Sequence, residues 1–360
     1  MLVLLQALRA RGHEADLACA EPPDPSERSL SGEARTRGVT PQLSLLSARG
    51  IRWRRDAPDA RRLRELILAE GVELIHAWHT RDHVLAIRAA RGTRTAVVRT
   101  LPAADPVSGA PWNRWLFGPG THGLLCVSRE VERRCAKLRG GRPIAACLGA
   151  VELDRFRPRK VGDGQSARVR AKLGLAADAA VIGIVARVQP HRRFDLLLGA
   201  MGELVRTHAH ARLVIVGRGT QLHEVARRPA AALGLAEHVV FAGYRRDDYA
   251  DVLRALDVFT FLVPGSDGTC RAVLEAAACG LPTVATRRGA LSEIVVDGET
   301  GLLVDETPAS LAAAWRRLLD DPTERARLGR AAYQRACSEF RPQRLAEDVE
   351  LLYAAALSAR

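Results

Sequence analysis

The sequence predicts an α/β protein built from two open, parallel-sheet domains. Short apolar runs of strand length alternate with amphipathic helical stretches, the pattern of parallel strands joined by crossover helices. These runs form two sets, separated by the charged, Gly- and Pro-containing stretch RFRPRKVGDGQSAR at 155–168, which reads as a linker. The chain has 360 residues, 47% of them hydrophobic, enough for two cores at roughly 100–200 residues each.

In the first set the expected strands are 15–20, 39–46, 72–77 (VELIHA), 96–100 (AVVRT), 123–128 (GLLCVS) and 143–148, with helices such as 59–70 and 129–138 between them. The second set is 180–186 (AVIGIVA), 212–216 (RLVIV), 239–241, 258–262 (VFTFL), 283–286 and 301–304, and 308–359 is helical throughout. The expected division is a first domain over 1–154, a linker over 155–178, a second domain over 179–342 and a final helix over 343–360. Two such domains frame a cleft, and open parallel sheets bind ligands beyond the carboxyl ends of their strands.

Composition narrows the function classes. With 54 Lys and Arg against 41 Asp and Glu the net charge is +13, and all but Lys137, Lys160 and Lys172 of the cations are Arg. Codon bias accounts for such usage. So would a true patch at 49–64, where Arg49, Arg52, Arg54, Arg55, Arg61, Arg62 and Arg64 surround Trp53; it would suit an anionic membrane surface or an acidic ligand, or else form a solvated face. Nucleic acid is not an expected partner, because aromatics are only 4% and no reader motif accompanies the charge. No apolar run approaches the roughly 18 residues of a membrane span, and no secretory leader is expected. The seven cysteines are odd in number and hold no C-x-x-C pair, which argues against a disulfide framework and a Cys-based zinc site. A cytoplasmic protein, with possible contact at the inner face of the membrane, is the expectation.

The chemistry concentrates in 257–304. A strand there runs into Pro264-Gly265-Ser266-Asp267-Gly268, and a helix is expected from near Thr269. A helix N-terminus offers free N–H groups and partial positive charge, a cradle for a diphosphate. Glu275, expected about two turns into that helix, can accept hydrogen bonds from the vicinal hydroxyls of a ribose. In 180–198, Arg187 stands where a strand ends and Arg192 and Arg193 precede a helix; guanidinium groups stay charged and suit phosphate oxygens. In LVIVGRGTQL (213–222), Gly217 and Gly219 occupy a strand-to-helix turn where backbone can approach a base closely.

These segments, in this order, resemble the family 4 glycosyltransferases of GT-B fold, retaining enzymes that use nucleotide-sugars. The resemblance rests on the Arg187 segment, VIVGRG, VVFAGY (239–244, ending at Tyr244), DVFTFLVPGSDG, LEAAACGLPTVAT and EIVVDGETGLLV (293–304). It continues more weakly through RGHEADL (11–17), VELIHAWH (72–79), CVSREV (126–131) and VELDRFRP (151–158). It implies two Rossmann-like, doubly wound domains facing a cleft, the second holding the donor and the first the acceptor, a glycan or lipid-linked saccharide, with the final helix crossing back to the first domain. Arg187 and Arg192 match the family's diphosphate-binding Arg and Lys, and Asp267 and Glu275 its paired glutamates. Amides after Gly268, at Thr269, Cys270 and Arg271, would meet the diphosphate. The resemblance further implies a reaction without a metal or other cofactor.

The pattern is departed from in three places. Asp267 is a methylene shorter than Glu. Pro102, in RTLP (99–102), stands where the family has a His. LVLLQALRARGHE reads as the helix that follows the family's first strand, so the first domain is expected to lack that strand and the natural product to start upstream of Met1. A degenerate sugar-nucleotide-binding protein is therefore the alternative to an active enzyme. Other readings stay open: Asp267 as a plain helix cap, Cys270 and Cys279 as packing residues, and His76, His79 and His83 as a metal set or as lining of a sugar cleft. VIVGRG lacks a full G-x-G-x-x-G, which weighs against a dinucleotide oxidoreductase.

Overall fold

The structure is a computed structural model that describes residues 1–22, 29–46, 51, 54–102, 111–136, 140–159, 164–265 and 269–360, the side chain of Arg114 excepted. It divides into two compact units, Met1–Cys147 with Pro342–Arg360, and Leu148–Arg341.

The first unit runs α1 (Leu2–Ala10), β1 (Ala18–Ala20), α2 (Leu30–Thr36), β2 (Leu43–Leu45), α3 (Ala57–Glu70), β3 (Leu74–Ala77), α4 (Thr80–Ala90), β4 (Ala96–Leu101), α5 (Pro111–Leu116), β5 (Gly123–Cys126), α6 (Arg129–Cys135) and β6 (Ile144–Ala146). The second runs α7 (Gln165–Lys172), β7 (Ala180–Val185), α8 (Phe194–Leu204), β8 (Ala211–Val216), α9 (Arg228–Ala232), β9 (Val239–Gly243), α10 (Tyr249–Arg254), β10 (Val258–Phe261), α11 (Arg271–Ala278), β11 (Thr283–Thr286), α12 (Leu291–Ile294), β12 (Gly301–Val304), α13 (Pro308–Asp320) and α14 (Pro322–Glu339). Helix α15 (Pro342–Ser358) belongs to the first unit. Every strand lies at one of the expected apolar runs, because a strand buried on both faces needs unbroken apolar sequence. The helical tail is cut into α13, α14 and α15 by Pro322 and Pro342, each at the first position of its helix, where a missing N–H costs no hydrogen bond.

All strand pairs are parallel. In the second unit the order is β12-β11-β10-β7-β8-β9. The chain therefore winds outward from β7 in one direction and from β10 in the other, and the reversal falls between these two hydrogen-bonded strands. Alternation along the strands splits the core into two layers. Val181, Val214, Phe259 and Ala285 face α11 and α14, whereas Ile182, Leu213, Val258 and Val284 face α8 and α13. Trp315 of α13 is fully buried and donates its indole N–H to Thr260 Oγ1 at 2.9 Å. Helix α7, inside the stretch that composition marks as linker, is tied to this sheet. Arg170 Nη2 donates to Asp257 Oδ2 at 2.9 Å, and that oxygen also accepts from Val181 N at 2.8 Å.

In the first unit the strands form a sheet of order β3-β4-β5-β6 and a separate pair, β1-β2. Val98 and Leu125 pack against Leu4 and Leu8 of α1 and Val349 and Leu352 of α15. On the other face Val97 packs with Ala77, Ala86 and Ala90. Arg81, at the start of α4, is buried but satisfied: its Nε donates to Asp56 Oδ1 at 2.9 Å and its Nη2 to Asp59 Oδ2 at 2.7 Å.

Candidate functional site

In an open parallel sheet the ligand crevice lies where the winding reverses, beyond the carboxyl ends of the strands. Here that place is set by β7 and β10. Arg187 lies two residues past the end of β7; it is exposed and bonded to no side chain among the described residues. Past the end of β10 the chain enters the Pro264–Thr269 loop, closed by Gly265 N donating to Thr269 O at 2.8 Å, and then α11. Asp267 and Gly268, both expected site residues, lie outside the described residues, as do Arg49, Arg52 and Trp53 of the Arg-rich stretch.

Arg192 has a role that the sequence left unresolved between phosphate contact and solvated surface. It is 7% exposed, and its Nη1 donates to Val263 O at 3.0 Å and to Pro264 O. It therefore buttresses the loop after β10 from beneath. Its neighbour Arg193 turns the chain: with φ +60° it is the one non-glycine in the left-handed region among the described residues, a conformation costing about 1 kcal/mol or more. Its guanidinium is anchored to Glu306 Oε2 at 2.6 Å and to Asp195 Oδ1 at 3.2 Å.

The start of α11 differs from the sequence expectation. The helix begins at Arg271 rather than near Thr269, so Glu275 lies little more than one turn into it, not two. Its first turn holds no acidic residue, and Cys270 at the cap position makes no side-chain cap bond to it; the amides of a helix N-terminus suit an anion. Cys270, at the cap position, is buried, whereas the Arg271 side chain is exposed. Glu275 is 8% exposed. Burial pushes its carboxyl above the ordinary value, while the charge of Arg271 and the hydroxyl of Tyr249 pull the other way. Tyr249 donates its O–H to Glu275 Oε2 at 2.7 Å, and Arg271 Nε stands 3.4 Å from Oε1. The remaining lone pairs of a nearly buried carboxylate are a strong acceptor for hydroxyl groups. Tyr249, 26 positions earlier on α10, carried no signal in the sequence; only the packing of α10 beside α11 brings it there.

Gly217 and Gly219 are accounted for by the chain's own backbone. A Cβ on Gly217, at φ +148°, would sit 2.0 Å from Ala186 O, and one on Gly219 would sit 1.9 Å from Val188 O. The segment carrying Arg187 thus lies directly against the turn after β8, with Val188 N donating to Arg218 O at 3.1 Å. Tyr244 is half exposed, its ring 5.3 Å from the Arg218 guanidinium carbon.

The three histidines do not converge. His76 bonds Tyr353 and Thr100, both at 2.6 Å, His83 bonds Thr121 Oγ1 at 2.8 Å, and His79 caps α4. Among the described residues no group of three or more His, Cys, Asp or Glu side chains is disposed to hold a metal ion, and no helix is long and apolar enough to cross a membrane. None of the seven cysteines forms a disulfide, and Cys270 and Cys279 are packed in the core around α11. Pro102 directly follows β4. Arg54, Arg55, Arg61 and Arg62 are exposed on and before α3, with Arg62 donating to Ser44 O at 3.0 Å.

Comparison with known proteins gives a consistent picture. Residues 165–335 match the family model of glycosyl transferases group 1, and residues 1–155 that of glycosyltransferase family 4. The D-inositol 3-phosphate glycosyltransferase of Acidothermus cellulolyticus is 36% identical over 304 residues, 81% of this chain and 63% of that protein. The GDP-mannose-dependent alpha-(1-6)-phosphatidylinositol monomannoside mannosyltransferase of Mycolicibacterium smegmatis is 37% identical over 236 residues, 61% of this chain and 60% of that protein. The chain thus spans less than two thirds of the length of these relatives. Among solved structures, Anabaena HepE in complex with UDP and glucose superposes with a TM-score of 0.80 at 17% identity, covering 98% of this chain and 95% of that one. A glycosyltransferase from Rickettsia africae superposes at 0.84 with 15% identity, covering 100% and 94%. With family matches over both units, the chain belongs to the family 4 glycosyltransferases.

Proposed function

We propose that the chain transfers a sugar, with retention of configuration, from a nucleotide-diphosphate-sugar to a hydroxyl of a glycan or lipid-linked saccharide. The observation that carries this reading is the arrangement at the winding reversal: an exposed Arg187 past β7, the N-terminus of α11 past the neighbouring β10, and a nearly buried Glu275 one turn into that helix. Arg187 and the first amides of α11 hold the diphosphate, Arg192 keeps the loop between them in place, and Glu275 accepts from the ribose hydroxyls. The relatives named for inositol phosphate and mannoside transfer, one of them GDP-mannose-dependent, support the donor and acceptor classes.

In this reaction the bond from the sugar C1 to the diphosphate oxygen breaks and a bond from C1 to the acceptor oxygen forms on the same face. The acceptor proton passes to the departing phosphate oxygen. Cationic side chains and a helix terminus neutralise the charge that develops on the leaving diphosphate, the work that a metal ion does elsewhere.

Calorimetric titration with UDP and GDP tests the reading. Glu275→Ala is expected to weaken the preferred diphosphate by about tenfold or more, the worth of a hydrogen bond to a charged group. An unchanged affinity removes Glu275 from the ribose site. A protein that binds a nucleoside diphosphate yet neither hydrolyses nor transfers any of a panel of donor sugars is instead the degenerate binding protein, the reading that Pro102 and Asp267 favour.

A further inference from the structure

Among the described residues, the first unit buries a cation whose side chain makes no ion pair. Arg99, two residues short of the end of β4, is 4% exposed, and its Nε and Nη1 are buried without a hydrogen-bond partner. A guanidinium is seldom buried unpaired, because the lost hydration must be replaced by an anion and hydrogen-bond acceptors. Burial lowers its pKa to about 10, and among the described residues Asp82 is the carboxylate that opposes this; that carboxylate already accepts from His79 N at 3.1 Å.

A second orphan lies on the helix packed against the same face of β4. Arg99 shares the face of β4 with Val97, which packs with Ala86 and Ala90 of α4. His83, three residues before Ala86, lies on the same side of that helix and is fully buried, its Nδ1 without a partner. Its tautomer follows from its neighbours. Thr121 Oγ1 donates to Leu116 O at 2.8 Å, so in its 2.8 Å contact with His83 that oxygen accepts, and the ring proton is on Nε2. His83 Nδ1 therefore presents a lone pair. The charge of Arg99 reaches His83 strongly enough to add to the effect of burial. Among the described residues the titratable and charged groups around Arg99 are Asp82 and His83 on α4 and His76 on β3, and the N-terminal ammonium also acts on His76.

We propose that Arg99 and His83 form a site for a small oxyanion, a phosphoryl group either free or carried on an alcohol. Its oxygens accept from Arg99. Its remaining proton bonds His83 Nδ1, or is taken up by His83, which then carries charge beside the anion. The position near the carboxyl end of β4 is where parallel sheets bind ligands. The site belongs to the first unit and does not rest on the nucleotide-sugar reading of the second.

The experiment uses the full chain with isotope-labelled histidine rings, the His83 signals being assigned by their loss in His83→Gln. Inorganic phosphate is titrated against chloride at matched ionic strength. The expected result is a shift of the His83 ring signals and a rise of its titration midpoint by at least about one pH unit, since an anion beside it favours the protonated form. Arg99→Met abolishes the response and leaves UDP and GDP binding as in the wild type, and Arg99→Lys keeps a weakened response. Inositol 3-phosphate against free inositol separates the sources: a response to the ester places the phosphoryl group on a larger molecule, and a response to phosphate alone makes the free ion the ligand. Phosphate that leaves His83 unmoved, or moves it equally in Arg99→Met, overturns the proposal. Binding that appears only in Asp105→Asn overturns it too, since the counterion is then internal to the chain; Asp105 is the only acidic residue among the ten that follow β4.

Discussion

Two guanidinium groups of the second unit, those of Arg187 and Arg192, divide their work by exposure. Arg187 is solvated and unengaged by side chains, so an arriving diphosphate meets a charge that need not break an existing ion pair. Arg192 is buried and spends its hydrogen bonds on the carbonyls of Val263 and Pro264. The expected consequence is an asymmetric loss. Arg187→Ala weakens a nucleoside diphosphate by about tenfold or more but leaves the nucleoside nearly untouched, since only the former carries the charge that it contacts. Equal losses for the two ligands in parallel titrations contradict the assignment. Glu275 acts through a different balance: burial pushes its carboxyl above the ordinary value, and the charge of Arg271 and the hydrogen bond from the Tyr249 hydroxyl, which also orients one of its oxygens, oppose this.

At the scale of elements, the site depends on how closely the ends of β7 and β8 approach. The turn after β8 lies so near the segment carrying Arg187 that a methyl group has no room at Gly217 or Gly219. Gly217→Ala is expected to cost about 1–3 kcal/mol or more, because the clash is with backbone and the conformation suits glycine. A fall in melting temperature of several degrees checks this, and a wild-type unfolding midpoint would sink it. The strands and helices themselves were legible in the sequence, because burial on both faces leaves unbroken apolar runs. The start of α11 was less so. Thr269 is a residue type that suits a helix cap, yet its carbonyl closes the loop by accepting from Gly265 N and the helix begins at Arg271.

For the whole molecule, buried neutral histidines set a pH dependence. Burial holds His76 and His83 at pKa values of about 3, against about 6.5 in the unfolded chain. Between these values the unfolded state binds protons that the folded state refuses, so stability falls as pH drops from about 6.5 towards 3 and levels off below. Each residue contributes a slope of about 1.4 kcal/mol per pH unit. Urea denaturation in phosphate-free buffer between pH 7 and 5 isolates this effect. The carboxylates held below their ordinary values by arginines, such as Glu350 beside Arg11 and Glu306 beside Arg288, lose stability only at lower pH. A constant free energy of unfolding across that interval contradicts the burial of both rings as neutral groups.

Local sequence by itself determined the alternation of strands and helices and the two-domain α/β class, and it offered Arg187 and Glu275 as candidates, since apolar runs, glycine turns and a strand-loop-helix motif are written in neighbouring residues. Tertiary structure alone decided that Arg192 braces a loop instead of lying on the surface and that Tyr249 holds Glu275. It also decided that Gly217 and Gly219 yield to backbone carbonyls and that Arg99 and the Nδ1 of His83 are buried without partners among the described residues. Each of these outcomes comes from the contact of residues distant in the chain, where burial and the partners met there fix what a polar side chain does.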